Sequence, residues 1–223
     1  MLDAPLRDLA AWTNWFARID VPVLRRSRSR LLALKAREDE GEIELDSRTV
    51  AAAVGDDPLM ALRVFTHLAR RRGARNAADV TTVERAIVML GLAPFFRLAG
   101  EVATVEDHLR DNPEAHAGLI RVLRRSQRAA RFACDLAVWR NDINAEEIVL
   151  AALLHDLAEI LRWGFAPELI LRIRALQAAD PALRSAAVQL EVLHVELNEL
   201  QVALARHWRL PALLVEMMDD HPA

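Results

Sequence analysis

The chain has 223 residues, 53% hydrophobic and 27% charged, with a formal net charge of −3. That length supports one sizeable apolar core without staples, and the single cysteine, Cys134, excludes an intramolecular disulfide or a cysteine-rich zinc site and points to a reducing compartment. No run of about 18 uncharged apolar residues occurs, and the first residues lack a basic segment followed by an apolar one, so the sequence predicts a cytoplasmic protein with no membrane contact.

In chain order, Trp12, Trp15 and Phe16 mark a first helix that packs on the body or on a partner. Arginines bunch at 25–30, and 36–46 reads as a charged connection. Asp57-Pro58 opens a helix in the 46–72 pair, since proline suits a first turn whose N–H has no helical partner anyway. Thr81 and Glu84 read as a capping box, with Gly91 as the stop after Val83, Ile87 and Leu90. A seam at 106–116 precedes Asn112-Pro113 and a long helix over 113–140. On it Arg121, Arg124, Arg125, Arg128 and Arg131 recur at helical spacing as one stripe, a solvated face or an anion or partner surface. Cys134 reads as core filler, and Trp139, Trp163 and Trp208 as core.

Asn144 and Glu147 repeat the capping arrangement, and Ala166-Pro167, Asp180-Pro181 and Leu210-Pro211 each mark a further helix start. One long helix is expected over 181–207, carrying His194 and His207, and the last helix turns Leu213, Leu214, Met217 and Met218 to the core. Without alternating β-branched runs, the prediction is an all-α protein of about ten helices in two packed lobes, about 15–110 and 111–223, forming a single domain.

The chemistry concentrates in "AALLHDLAEIL" (151–161), where His155 and Asp156 interrupt an apolar run. Buried charge is costly unless paired, hydrogen-bonded or metal-bound. On a continuous helix the two side chains lie about 100° apart and could share one ion, but a hydrolytic site needs further ligands and an open position for water. The other histidines are 67, 108, 116, 194, 207 and 221. No glycine-rich phosphate loop or Gly-x-Ser-x-Gly elbow competes, and the negative net charge and Pro58 junction argue against DNA binding.

"EEIVLAALLHDLAEIL" resembles the HD element of the metal-dependent phosphohydrolase superfamily, and the wider pattern resembles its HDOD branch of bacterial signalling output domains. The stretches that carry this likeness are "IDVPVLRRSRSRLLAL" (19–34), "IELDSRTVAAAVGDDPLMALRVFTHLARR" (43–71), "VTTVERAIVMLGLAPFFRLA" (80–99) and "LARHWRLPALLVEMMDDH" (204–221), in the family's order. The resemblance implies an HD-like helical fold and a metal constellation that this chain has lost in part. Arg125 stands where a histidine precedes Ser126, Leu197 stands at another histidine and Gln201 at a glycine. His221 keeps the first of a terminal pair whose second is Pro222, and Ala158 and Glu159 replace Gly-Lys. Leucine has no donor and arginine no lone pair at ordinary pH.

The expectation is therefore a non-catalytic signal transduction module without a cofactor. Its vestigial site is His155, Asp156, His221 and Arg125, with Arg125 forming a bidentate pair with Asp156. It would act through a protein partner in a signalling pathway, at the Arg121, Arg124, Arg128 and Arg131 surface, or through a small ligand such as a cyclic dinucleotide. The alternative is a phosphohydrolase or cyclic-dinucleotide phosphodiesterase in which His155, Asp156, His221 and a carboxylate from Glu159, Asp219 or Asp220 hold a divalent metal such as Mn or Fe.

Overall fold

The structure is a computed structural model that describes residues 1–71 and 80–219. It is all-helical; among the described residues there is no strand, only an isolated bridge between Val23 and Thr104. No helix among them is long and apolar enough to cross a membrane. The chain forms fourteen helices there, more than expected, and two predicted helices are each split.

Helix α1 (Leu9–Phe16) starts on Asp8, whose carboxylate accepts from Ala11 N–H, and buries Trp12 and Phe16. Then follow α2 (Arg25–Asp39) and α3 (Ser47–Val54), the latter capped by Asp46. Helix α4 (Pro58–Arg71) begins on its proline while buried Asp57 accepts from Leu59 and Met60 N–H, which satisfies donors left free at a helix start. The cap of α5 (Val83–Leu90) is Thr82, one residue later than predicted: its hydroxyl accepts from Arg85 N–H. Gly91, at φ 84°, ends α5 and leads straight into α6 (Leu92–Gly100), a left-handed step that glycine takes without a Cβ penalty.

After the short α7 (Val105–His108), α8 (Pro113–Trp139) runs for 27 residues from an Asn112 cap, close to the predicted helix. The remaining helices are α9 (Ala145–Leu154), α10 (Leu157–Phe165), α11 (Pro167–Ala179), α12 (Ser185–Leu193), α13 (Leu197–His207) and α14 (Ala212–Met218). Asn144 makes no side-chain cap; Asp142 instead accepts from Asn144 N–H in the turn before α9. Pro181 lies in a turn, with α12 starting at Ser185, and Pro211 precedes the last helix rather than entering it.

Helices α2–α6 pack on one another, α8–α14 do likewise, and α4 touches α8 and α9 so that one apolar core is continuous from Trp12 to Met218. Gln127 Nε2 on α8 donates to Asp56 O across the junction. The helix expected over 181–207 is broken: His194 turns left-handed at φ 63° and the chain restarts at Leu197, so His194 and His207 are not on one helix. The break is where α1 docks on α13, Trp12 Nε1 donating 2.9 Å to the Leu193 carbonyl and His194 Nδ1 meeting Leu6 O. Three apolar expectations are corrected by the same cause: no described residue covers that side of the helix. Cys134 and Trp139 on α8 and Met217 on α14 are exposed, although Trp163, Trp208, Leu214 and Met218 are buried as expected.

Candidate functional site

The dyad does not sit on a continuous helix. Helix α9 ends at Leu154, Asp156 leaves helical geometry at ψ 29°, and α10 restarts at Leu157. His155 is therefore exposed and Asp156 only half-buried, which corrects the expectation of a charged pair inside an apolar run. His155 Nδ1 lies 3.4 Å from Asp156 Oδ1.

Because α8 packs lengthwise on α9 and α10, it brings Arg125 over this break. Arg125 Nε donates 2.8 Å to Asp156 Oδ2 and Nη2 donates 2.6 Å to Glu159 Oε2, with Nη2 also 2.8 Å from Asp156 Oδ2. The guanidinium thus forks across two carboxylates rather than pairing with Asp156 alone, because Glu159 stands one turn along α10 on the same side. Planar donors at fixed spacing suit this arrangement in a way a single ammonium does not. His155 and then Arg125 hold the Asp156 carboxyl below the usual range against the opposing effect of burial. Burial works to lower Arg125, but Glu159 and Asp156 outweigh it and leave its value raised.

A divalent ion at the dyad would compete with the Arg125 guanidinium for Asp156 Oδ2 and Glu159 Oε2. Among the described residues no group of three or more His, Cys, Asp or Glu is arranged to hold a metal ion. His221, Asp220 and Pro222 lie outside the described residues, and Asp219 Oδ2 is engaged by Arg206 at 2.8 Å. Leu197 opens α13 by donating its N–H to Gln189 Oε1, and Gln201 Oε1, 3.4 Å from Ala158 N, links α13 to α10 just after the dyad.

The other histidines serve elsewhere. His108 Nε2 meets Gly164 O at 2.8 Å, and His116 Nε2 is buried with no hydrogen-bond partner among the described residues. His67 faces a cleft of about 460 Å³ between α4 and α6, with Arg63, Arg70, Arg71 and Arg97 on its walls beside Asp20, which pairs with Arg63, and Glu101. Burial, then Arg71, Arg63 and Arg70, hold His67 below its ordinary value. The sequence reading missed two features near the dyad. Glu159 as the second partner of Arg125 is signalled only by its spacing of three from Asp156. Arg162, nearly wholly buried, is lowered by burial to about 10 with Glu159 opposing, and no sequence pattern marks it. Arg121, Arg124, Arg128 and Arg131 are all exposed along α8, as their spacing required.

A family model described as the HDOD domain matches residues 33–223. Among solved structures, a virulence factor from Campylobacter jejuni subsp. jejuni is similar at 21% identity and a TM-score of 0.66, over 94% of this chain and 73% of that one. The MmoQ response regulator from Methylococcus capsulatus str. Bath is similar at 22% identity and a TM-score of 0.64, over 89% of this chain and 76% of that one. No curated protein sequence matches.

Proposed function

Since the chain belongs to the HDOD domain family, we propose that it is a non-catalytic regulatory module of a bacterial signalling pathway, in which the HD pocket has become a structural ion-pair site. One observation carries this reading: the Arg125 guanidinium holds Asp156 and Glu159 at 2.8 and 2.6 Å, so both carboxylates that a metal could use on α8–α10 are occupied by a fixed cation. Arginine stays protonated at any ordinary pH, so the pocket cannot be reopened by titration. Signal transfer then runs through surfaces, either to a protein partner or through a small ligand. The arginine-walled cleft between α4 and α6 supports an anionic choice of the latter, including a cyclic dinucleotide.

Metal content tests the reading. The chain is expressed with manganese and iron in excess, purified without chelator and analysed by mass spectrometry beside an Asp156→Ala variant. The expected result is substoichiometric metal in both. Stoichiometric metal that disappears with Asp156 overturns the proposal in favour of a metal-dependent phosphohydrolase or phosphodiesterase.

A further inference from the structure

The second half of α8 carries an apolar row that the described residues leave uncovered. Phe132, Leu136 and Trp139 recur at four and three residues and so share one side of the helix. They are 73%, 56% and 80% exposed, and Ile143 in the turn beyond is 96% exposed. Large side chains exposed singly are ordinary, but four in a row make a patch on the order of 600 Å², the upper end of what a monomer presents. A standard interface takes about 800 Å² from each partner, somewhat more than half of it apolar, so this row alone supplies the apolar share.

We infer that the Phe132–Leu136–Trp139 face of α8 is covered in solution by the same face of a second copy of this chain, the two α8 helices crossing antiparallel about a two-fold axis near Leu136. A two-fold contact joins a patch to itself, which this row can do: Phe132 meets the second copy's Trp139, and the two Leu136 side chains meet near the axis. Charge favours a second copy over a strongly acidic or basic partner. Around the row the exposed Arg128, Arg131 and Arg140 stand beside the exposed Asp135 and Asp142, close to balance, and antiparallel packing brings Arg128 toward the second copy's Asp142. Arg121 and Arg124 stand eight or more residues from Phe132, about 12 Å along the axis, so the strongest positive charge lies off the contact. Trp139, packed on Phe132 to either side of the axis, is of the residue type most enriched among those that carry binding energy in interfaces. The inference stands apart from the state of the Arg125 pocket, since none of its residues touches Asp156 or Glu159.

The test is the mass of the full chain in solution, by sedimentation equilibrium over a wide concentration range. Wild type is expected at twice the 25.0 kDa of one chain, Leu136→Glu and Trp139→Glu at a single chain mass with unchanged far-UV circular dichroism, and Leu190→Glu, an exposed apolar position on α12, still dimeric. Should a glutamate variant fold poorly, Leu136→Ala must still weaken association by about tenfold. A wild type that stays monomeric throughout overturns the inference and assigns the row to a different partner. Undiminished dimerisation of the α8 variants overturns it as well.

Discussion

Arg125→Ala removes the one cation shared by Asp156 and Glu159. The side chains of the three residues are 48%, 27% and 28% exposed, so the pair is neither a screened surface bridge nor a fully buried one. An exposed ion pair contributes about 0.2–1 kcal/mol, and two bonds at this depth sum to about 1–2 kcal/mol. Removal also takes the guanidinium away from Asp156, the residue before α10, and from Glu159 three positions on, leaving His155 beside Asp156, and like charges at that spacing repel by a few tenths of a kcal/mol. The assay is urea unfolding followed by far-UV circular dichroism, with Arg128→Ala, exposed on the same helix, as the reference. Arg125→Ala is expected to lose about 1–2 kcal/mol at neutral pH and Arg128→Ala less than about 0.5 kcal/mol. The folded Asp156 carboxyl is depressed, so its contribution is present above the unfolded value near 3.9 and lost as pH falls through the folded one. The gap between wild type and Arg125→Ala therefore narrows below about pH 4. Losses for the two variants within about 0.5 kcal/mol of each other, or a gap that does not change with acid, refute the ion-pair argument.

Gly118→Ala sets two effects against each other. Alanine favours a helix interior by about 1 kcal/mol, but its Cβ would lie 2.5 Å from the buried Trp163 ring, and Arg174 stacks 4.7 Å from that ring's centroid. Overpacking of that kind costs about 3 kcal/mol, so thermal denaturation should report a net loss near 2 kcal/mol. At Asp57, burial pushes the carboxyl up against the pull of Ser27 and the Met60 and Leu59 amides. Its folded value lies above the unfolded one, so the ionised group costs stability at neutral pH and the cost disappears as pH falls. Asp57→Asn keeps an acceptor for the α4 start and should melt at or above wild type, whereas Asp57→Ala, which loses the cap, should lose about 1–2 kcal/mol. Trp12→Ala empties the seam between α1 and α13 and is expected to cost about 3–5 kcal/mol, read in the same urea experiment.

What was legible in the sequence was punctuation. Pro58, Pro113, Pro167 and Gly91 each sit where a helix begins or ends, because proline fixes φ and glycine alone takes a positive φ without strain, local properties that Pro181 and Pro211 show do not always place a helix start. The α8 arginines were legible for the same local reason, their spacing alone setting a face. The break after Leu154 was not, since Ala-Leu-Leu-His-Asp-Leu-Ala has no breaker and the restart at Leu157 is set by packing against α8 and α13. Nor was the turn at His194, a residue seldom left-handed, held by Leu6 and by the Trp12 bond to Leu193. Trp139 shows the limit of hydropathy: it marks a side chain that avoids water, not the molecule that covers it.

The bond from Trp12 to Leu193 joins positions 181 residues apart. During synthesis the first helix emerges long before the ribosome has made its seat, because α12 and α13 are translated near the end of this sequence. Until then the Trp12, Trp15 and Phe16 cluster lacks its seat on α12 and α13, and the contact that closes the core forms late. Drug-like or mutational loosening of the α12–α13 turn would thus act first on newly made chains, lowering yield before it measurably lowers the melting point of the finished protein.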